Sequence, residues 1–521
     1  MNISNWIEKH ADFTPEKPAI RFVKDSNAVS AGISAAIQVW SYSQFENRIR
    51  RIRFGLQQNF KVKAGDRVAF LGYNNPDMLA LLFACAGLGA VLVPLNWRLA
   101  AAEHAYILQD SAATLLVCEA DFRENAERAR TQNPACKLIA YDFSAEGWSG
   151  FDDLLTDSTA CEKNLEISQE APILIIYTSG TTGRPKGAVL TQNALFWNAL
   201  NSIHLHDLTS EDHVLSVLPL FHVGPLNIQT VPAFYVGSTI TLTAKFDAAQ
   251  TLDLIETERP SLILLVPVTM QAILQHPNWK QTNCSSLRTV TTGSSVVPID
   301  LLEGFHQRNI PVGQVYGSTE TCPIAAYLCA EDAISKIGST GKAALHCELR
   351  VVDENGRNVT VGESGELQVR GPNVMSQYWN NPAETEKVFV NDWYSTGDVG
   401  YFDEDGFLFI NDRKRDIIIS GSENIYPAEI EAVLREHEAI FDVAVVGKTD
   451  PEWGEVPVAY VVIIPESELS ESDILLYLSK SIARFKQPKA VFFLDALPRN
   501  TMGKVLKYEL REIAEANKSS N

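Results

Sequence analysis

Apolar residues recur along the first third of the chain in two alternating rhythms. Phe45, Ile49, Ile52 and Leu56 fall on one face at helical spacing. Arg48, Arg50, Arg51 and Arg53 lie between them, and such a run predicts a solvated face. Short apolar runs bounded by Gly, Asp or Pro predict buried strands over 68–71, 90–93, 172–177, 214–218, 239–242, 262–266 and 287–291. Helical segments lie between several of them, as at 193–202 and 248–258. The most apolar stretch runs from Met78 to Leu95, near membrane-span length, but Gly87, Gly89 and Pro94 interrupt it. It predicts a helix over 76–88 followed by a buried strand. The alternation predicts α/β layers with much parallel sheet.

From Cys347 the pattern changes. Strands predicted over 348–352, 365–370, 400–402 and 407–411 are joined by tight turns such as Asn355-Gly356 and Asp405-Gly406, a mostly antiparallel β region. The charged run Asp412-Arg413-Lys414-Arg415-Asp416 separates two apolar strands. Beyond it stands a complete pattern of its own. Pro427 opens a helix over 428–435, strands follow at 442–446 and 458–464, then a helix at 471–479 and a strand at 490–494. The expected division is an N-terminal domain 1–412, a hinge 413–416 and an α+β domain 417–521. There is no internal repeat or low-complexity tract.

The length of 521 residues agrees with more than one domain, at roughly 150 residues each. With 45% hydrophobic and 21% charged residues, the composition is that of a globular protein. It excludes disorder, collagen and a multispanning membrane protein, and predicts no transmembrane segment. A net charge of −20 has the wrong sign for general nucleic-acid binding, although a local basic patch can hold a small anion. The start Met-Asn-Ile-Ser-Asn-Trp lacks the features of a secretory or transit peptide, so a cytoplasmic location is expected. The eight cysteines are scattered without a Cys-x-x-Cys, as expected of buried reduced thiols.

The segment with the most chemistry is Tyr177-Thr178-Ser179-Gly180-Thr181-Thr182-Gly183-Arg184-Pro185-Lys186-Gly187. Its glycines permit close approach of backbone to ligand, its hydroxyls and amides suit phosphate oxygens, and Lys186 adds positive charge. It is not a Walker A loop, because Lys186 follows Pro185 and precedes Gly187. The loop resembles the phosphate-binding signature of the AMP-forming adenylate enzymes, which include acyl-CoA synthetases, carrier-protein adenylation domains and beetle luciferases. Further motifs of that superfamily follow in order. They are Leu218-Pro219-Leu220-Phe221-His222, Thr292-Gly293-Ser294-Ser295, Tyr316-Gly317-Ser318-Thr319-Glu320, Thr396-Gly397-Asp398, Asp412-Arg413 with Asp416, and Pro498-Arg499-Asn500-Thr501-Met502-Gly503-Lys504. The resemblance covers essentially the whole chain, which is similar to AMP-forming acyl-CoA synthetases and in particular to bacterial fatty-acyl-CoA and aryl-CoA ligases.

That resemblance implies an α/β fold: a large N-terminal domain of layered α/β subdomains plus a β-rich subdomain, with a small mobile C-terminal α+β domain. It implies ATP, Mg²⁺ and CoA, a small carboxylic acid as substrate, no nucleic acid, and it is compatible with a homodimer. The acid's carboxylate must attack the α-phosphate of ATP, so anion meets anion, and charge neutralisation with alignment should dominate catalysis. By resemblance Glu320 is a magnesium ligand with Thr181 nearby, and Lys504 bridges the acyl carboxylate and the α-phosphate. Lys186 and the loop Thr178, Ser179, Gly180, Thr181, Thr182, Gly183 hold the phosphates that leave. Gly293, Ser294, Ser295, Tyr316, Gly317 and Thr319 surround the nucleotide, and Asp398 and Arg413 hold the ribose. His222, Val223, Gly224, Gly293, Gly317 and Ile324 line the acid, with His222 near its carboxylate. In the second half-reaction the small domain rotates at the hinge, where Arg415 aligns, bringing Gly421, Ser422 and Glu423 toward the pantetheine tunnel. Ser422 departs from the second glycine of many relatives.

The acid itself is addressed by what is missing. Adenylation domains for amino acids usually place an Asp just past the second signature, whereas His222-Val223-Gly224-Pro225-Leu226-Asn227-Ile228-Gln229 has no carboxylate. Thr321-Cys322-Pro323-Ile324-Ala325-Ala326 is also uncharged, so a charged tail would be unpaired. An apolar monocarboxylic acid is expected, a medium- or long-chain fatty acid first and a hydroxycinnamate-like or cyclic acid close behind. Loading of a carrier protein is the alternative second step; with no carrier domain after Lys504, free CoA is favoured. A luciferase-like oxygenase shares every motif, whereas a non-enzymatic relative would be expected to lose Lys504 or Glu320.

Overall fold

A computed structural model describes residues 2–24, 37–155, 166–178, 185–294, 297–414, 416–420, 423–450, 453–465, 467–479, 482, 484–500 and 503–516. The chain divides into two compact units. One comprises Met1–Leu349 and Val369–Tyr394, the other Arg350–Gln368 and Ser395–Asn521. The segment expected to be the hinge lies inside the second unit.

The apolar stretch near residue 80 folds as its ends dictate. The helix Pro76–Leu88 starts where the Asn75 side chain accepts a hydrogen bond from the Asp77 amide, and it stops at Gly89 in left-handed conformation. Every residue in it is buried. Its side chains share a core with Ile20, Phe22, Ile240 and Leu242 of one sheet and Val68, Phe70, Leu92 and Leu174 of another. A helix with no polar face needs cover all round, and lying between two sheets provides it.

Within that helix Asp77 is fully buried. Arg48 donates to its two carboxylate oxygens at 2.7 and 2.8 Å, and the Tyr141 hydroxyl donates at 2.9 Å. The arginine-rich side of the helix Tyr42–Gln58 is therefore not the solvated face its spacing predicts. Arg51 donates to the Leu155 carbonyl at 2.6 Å, and Arg53 is buried with its stem against Gly87. These arginines serve a buried carboxylate and a carbonyl lying 29 to 104 residues away in sequence.

The first sheet of this unit contains, among the described residues, six parallel strands in the order Val312–Tyr316, Thr289–Gly293, Leu262–Leu265, His213–Ser216, Thr239–Thr243 and Pro18–Val23. Antiparallel strands flank them at both edges. In the second sheet Pro172–Thr178, Val91–Pro94, Arg67–Leu71, Leu115–Cys118 and Lys137–Ala140 run parallel, and Lys186–Thr191 returns antiparallel beside Pro172–Thr178. The expected α/β layers with much parallel sheet are borne out. Six of the seven described cysteines are buried and the seventh, Cys329, is half-buried; all are free thiols.

The strand Trp393–Phe402 runs from the first unit into the second, where its residues 398–402 pair antiparallel with Leu408–Arg413. Beyond them Ile418–Ser420, Gly454–Ile463 and Ile440–Asp450 form an antiparallel sheet, with Ala490–Phe493 added parallel. The helices Pro427–Arg435 and Glu471–Leu478 pack into one core on it, and Lys507–Ala516 into another. Asp412 accepts from the Ala428 amide at 3.1 Å, and Arg511 pairs with Asp416 at 2.5 Å. Arg415 lies outside the described residues. Among the described residues no helix is long and apolar enough to cross a membrane.

Candidate active site

Three of the motifs are far apart in sequence and adjacent in the first sheet. His213–Ser216, Leu262–Leu265, Thr289–Gly293 and Val312–Tyr316 are consecutive parallel strands, so their carboxyl ends emerge side by side. Leu218–His222, Gly293-Ser294 and Tyr316–Glu320 follow those ends, the usual position for ligands of an open parallel sheet. Close packing of backbone selects two of the glycines. A Cβ on Gly293 would stand 2.6 Å from the Val315 carbonyl oxygen, and one on Gly317 would stand 1.6 Å from that of Pro323. The amide of Ile324, which is buried, donates to Asn198 Oδ1 at 3.0 Å.

In the other sheet Thr178 and Lys186 are ladder partners. Both ends of the expected phosphate loop are thus fixed, while Ser179, Gly180, Thr181, Thr182 and Gly183 lie outside the described residues. Lys186 forms an ion pair with Glu384, and its Nζ lies 5.3 Å from the centre of the Tyr378 ring. The Tyr378 hydroxyl donates to Glu320 Oε1 at 2.7 Å, and Glu320 is 8% exposed. The ladder between Tyr378 and Ala188 is what brings this tyrosine beside the Lys186 strand. Hydrogen bonds from Lys186 and Lys387 push the Glu384 carboxyl down to about 2. Burial and the Glu320 charge push the Tyr378 and Tyr394 phenols up, so both stay protonated.

Tyr378 and Glu384 were not expected from the sequence, whereas Tyr394 stands in the Tyr394-Ser395-Thr396-Gly397-Asp398 segment. Neither of the first two belongs to a motif at fixed spacing: strand pairing brings Tyr378 beside Lys186, and the helix Pro382–Val388 carries Glu384. The donor set suits a hard cation bound chiefly through phosphates. Mg²⁺ takes one or two protein carboxylates and fills its other positions with phosphate and water oxygens. Glu320 could supply one such carboxylate, Thr181 lies outside the described residues, and among the described residues no cluster of three metal-ligating side chains occurs.

The His222 side of the strand ends has a different character. The His222 ring lies 4.3 Å from that of Phe221, and Phe221 meets Trp97 edge-on at 6.5 Å. His222 Nε2 is buried and has no hydrogen-bond partner. Burial and the nearby Arg98 charge push its pKa down to about 3, leaving a neutral imidazole. After Val223 and Gly224 the chain makes one turn of π-helix, Leu226–Thr230, a form that recurs at functional sites. A Cβ on Gly224 would meet Ile228 Cδ1 at 3.7 Å, an ordinary van der Waals contact, so a small side chain would fit there without a clash.

In the second unit Asp398 and Arg413 are ladder partners, with Arg413 Nε 3.3 Å from Asp398 Oδ1. The Asp398 amide donates to Thr396 Oγ1 at 3.0 Å, and Gly397 turns the chain at φ 71°. Lys504 is half-buried at the end of a turn closed by two hydrogen bonds. Its amide donates to Asn500 Oδ1 at 2.9 Å, and the Asn500 amide donates to its carbonyl at 2.8 Å. Glu423 pairs with Ser420 through backbone, while Gly421 and Ser422 lie outside the described residues. Ser294 is described with φ 80°, Ser295 is not, and Tyr316 and Thr319 are half-buried.

Residues 7–379 match the family model described as AMP-binding enzyme, and residues 429–504 match the AMP-binding enzyme C-terminal domain. An indoleacetate–CoA ligase of Aromatoleum aromaticum is 46% identical over 514 residues, covering 98% of each chain. A long-chain-fatty-acid–CoA ligase of Mycobacterium tuberculosis is 37% identical, covering 87% of this chain and 88% of its own. The Bacillus subtilis O-succinylbenzoate coenzyme A synthetase, solved with ATP and a magnesium ion, is 32% identical with a TM-score of 0.82, covering 97% of this chain and 99% of that one.

Proposed function

The chain belongs to the AMP-binding enzyme family, and from that membership we propose an AMP-forming CoA ligase whose acid is aromatic, of the arylacetate type. The coarser statement is secure: this is an acid–thiol ligase that uses ATP, Mg²⁺ and CoA. The 46% identity to an indoleacetate ligase, end to end, carries the choice of an aromatic acid over the fatty acid favoured by the motifs alone. The neutral rings of Trp97, Phe221 and His222 support it, since a flat ring packs well against aromatic walls.

The residues have natural roles in such a reaction. The carboxylate oxygen attacks the α-phosphorus of ATP, the bond to the β-phosphate oxygen breaks, and pyrophosphate leaves. Lys504 neutralises charge between carboxylate and α-phosphate, and Asp398 with Arg413 holds the ribose hydroxyls. Glu320 is the protein carboxylate for Mg²⁺, which when bound supplies charge neutralisation on the phosphates. The Tyr378 hydroxyl fixes the Glu320 rotamer. Departing pyrophosphate competes with Glu384 for the Lys186 ammonium. Gly293, Ser294, Gly317 and Thr319 line the nucleotide, and Val223, Gly224 and Ile324 the acid, with neutral His222 able to hydrogen-bond the carboxylate without titrating. CoA sulfur then attacks the acyl carbon and AMP leaves, with 413–416 as the expected hinge.

A pyrophosphate-release assay across arylacetic, hydroxycinnamic, fatty and short acids tests this reading. Arylacetates should give the highest kcat/KM, and CoA should be consumed where an acyl carrier protein is not. Fatty acids outrunning every aromatic acid would overturn the aromatic assignment and leave the ligase chemistry standing.

A further inference from the structure

The strongest unexplained feature on the acid side is a buried amide whose orientation is fixed by its neighbours. Gln229 lies in the π-helical turn one turn beyond Gly224 and is 1% exposed. Its Nε2 is 3.2 Å from Thr291 Oγ1 and 3.2 Å from His206 Nε2, while its Oε1 has no partner.

The tautomer of His206 decides which way the amide faces. Ser202 Oγ donates to the Ile228 carbonyl at 2.5 Å, so it has no proton left for the ring. His206 Nδ1 is 2.9 Å from the Ser202 carbonyl oxygen, an acceptor, so Nδ1 must carry the proton. Burial pushes the His206 pKa down to about 4, so the ring is neutral and Nε2 presents a lone pair. Thr291 donates to that lone pair at 2.9 Å and accepts from Gln229. Turning the Gln229 amide over would set its oxygen against the same lone pair. Its NH₂ therefore faces His206, and its carbonyl oxygen faces away.

Gln229 lines a cavity of about 10 Å³ together with Ser216, Leu218, Pro225, Thr230 and Leu264. Ser216 and Thr230 hydrogen-bond each other at 3.0 Å, and Thr230 donates to the Pro225 carbonyl, so their hydroxyls are engaged. That space is of the order of one small polar atom and far below the volume of a ring.

We propose that Gln229 Oε1 is a specificity-determining acceptor for a ring N–H or O–H donor on the acyl group, its ring occupying the space beside Gly224. This rests on the aromatic reading above and narrows it, from any arylacetate to one carrying a hydrogen-bond donor on its ring. An acceptor already stripped of water discriminates strongly, because an analogue without the donor leaves it unpaired.

The test compares indole-3-acetate with benzothiophene-3-acetate, which has sulfur in place of N–H, and 4-hydroxyphenylacetate with phenylacetate. In the wild-type enzyme one donor acid of the two pairs should exceed its partner in kcat/KM by at least about tenfold, and which pair it is identifies the donor. In Gln229→Met that ratio should fall to within about twofold. Equal kcat/KM within both pairs in wild type overturns the assignment even if the variant does not fold, and so does an unchanged ratio in a folded variant. Turnover of decanoate with no aromatic acid accepted overturns the aromatic reading itself, and this assignment with it.

Discussion

The Glu320 side and the Gln229 side of the strand ends handle buried polarity in opposite ways. Around Glu320 the charges named are paired: Tyr378 donates to Glu320, and Glu384 holds Lys186. Around Gln229 the side chains named are neutral, and Gln229 Oε1, Asn227 Oδ1 and His222 Nε2 stand buried without partners. The cost of burial explains the contrast. A buried ion left without any partner is penalised so heavily that it needs a hydrogen-bond donor or a counter-charge before ligand arrives: the neutral Tyr378 hydroxyl serves Glu320, and Glu384 serves Lys186. An unpaired amide oxygen costs only about 1–3 kcal/mol, a penalty a fold can carry and a ligand can relieve. Charge recognition is therefore an exchange of partners, and acyl recognition is the filling of a vacancy.

If charge governs adenylation, the largest effect belongs to the second unit. Lys504→Ala should slow acyl-adenylate formation by about a thousandfold, while thioester formation from supplied acyl-AMP stays within severalfold of wild type. Pyrophosphate release and CoA consumption, measured separately, check this; equal loss in both would show that the lysine has another role. Glu320→Gln comes next. It should lower adenylation by about a hundredfold and leave the ranking of acids unchanged, since it acts on the charged side alone. A changed ranking would mean that the two sides are coupled.

Smaller effects sharpen the contrast. Tyr378→Phe removes one donor to a carboxylate, worth about 1.5–3 kcal/mol, so adenylation should fall about tenfold or more, with no change in acid selectivity. The neutral side is probed by pH. The folded-state pKa of His222 is about 3 against an ordinary 6.5, so below 6.5 the unfolded chain takes up a proton that the folded chain does not. Stability should thus fall as pH drops from about 6.5 toward 3, and His222→Gln should flatten that limb in denaturant titrations. An identical slope in the variant would place the imidazole outside the buried environment described.

How much of this was legible depended on whether its causes were local. The helix over 76–88 was readable to the residue because Asn75, Pro76 and Gly89 lie at its own ends. The strands over 239–242 and 262–266 were readable within a residue, since Thr239–Thr243 and Leu262–Leu265 carry their own apolar runs. The motif loops were legible as chemistry because their spacing is short. The arginines of Tyr42–Gln58 were misread because their partners, Asp77 and the Leu155 carbonyl, lie elsewhere in the chain. The π-helical turn was invisible, as Leu226–Thr230 has no composition that distinguishes it from an ordinary helix.

The order of residues alone fixed the family, the two-step chemistry and the motif side chains, because those depend on short segments whose conformations are set by neighbours along the chain. The tertiary structure decided which of them meet. Strand pairing set Tyr378 against Glu320 and Lys186, and the neutral His206 turned the buried Gln229 carbonyl away from itself. Such relations arise from hydrogen bonds across sheets and between helices and strands, and no periodicity along a single segment encodes them.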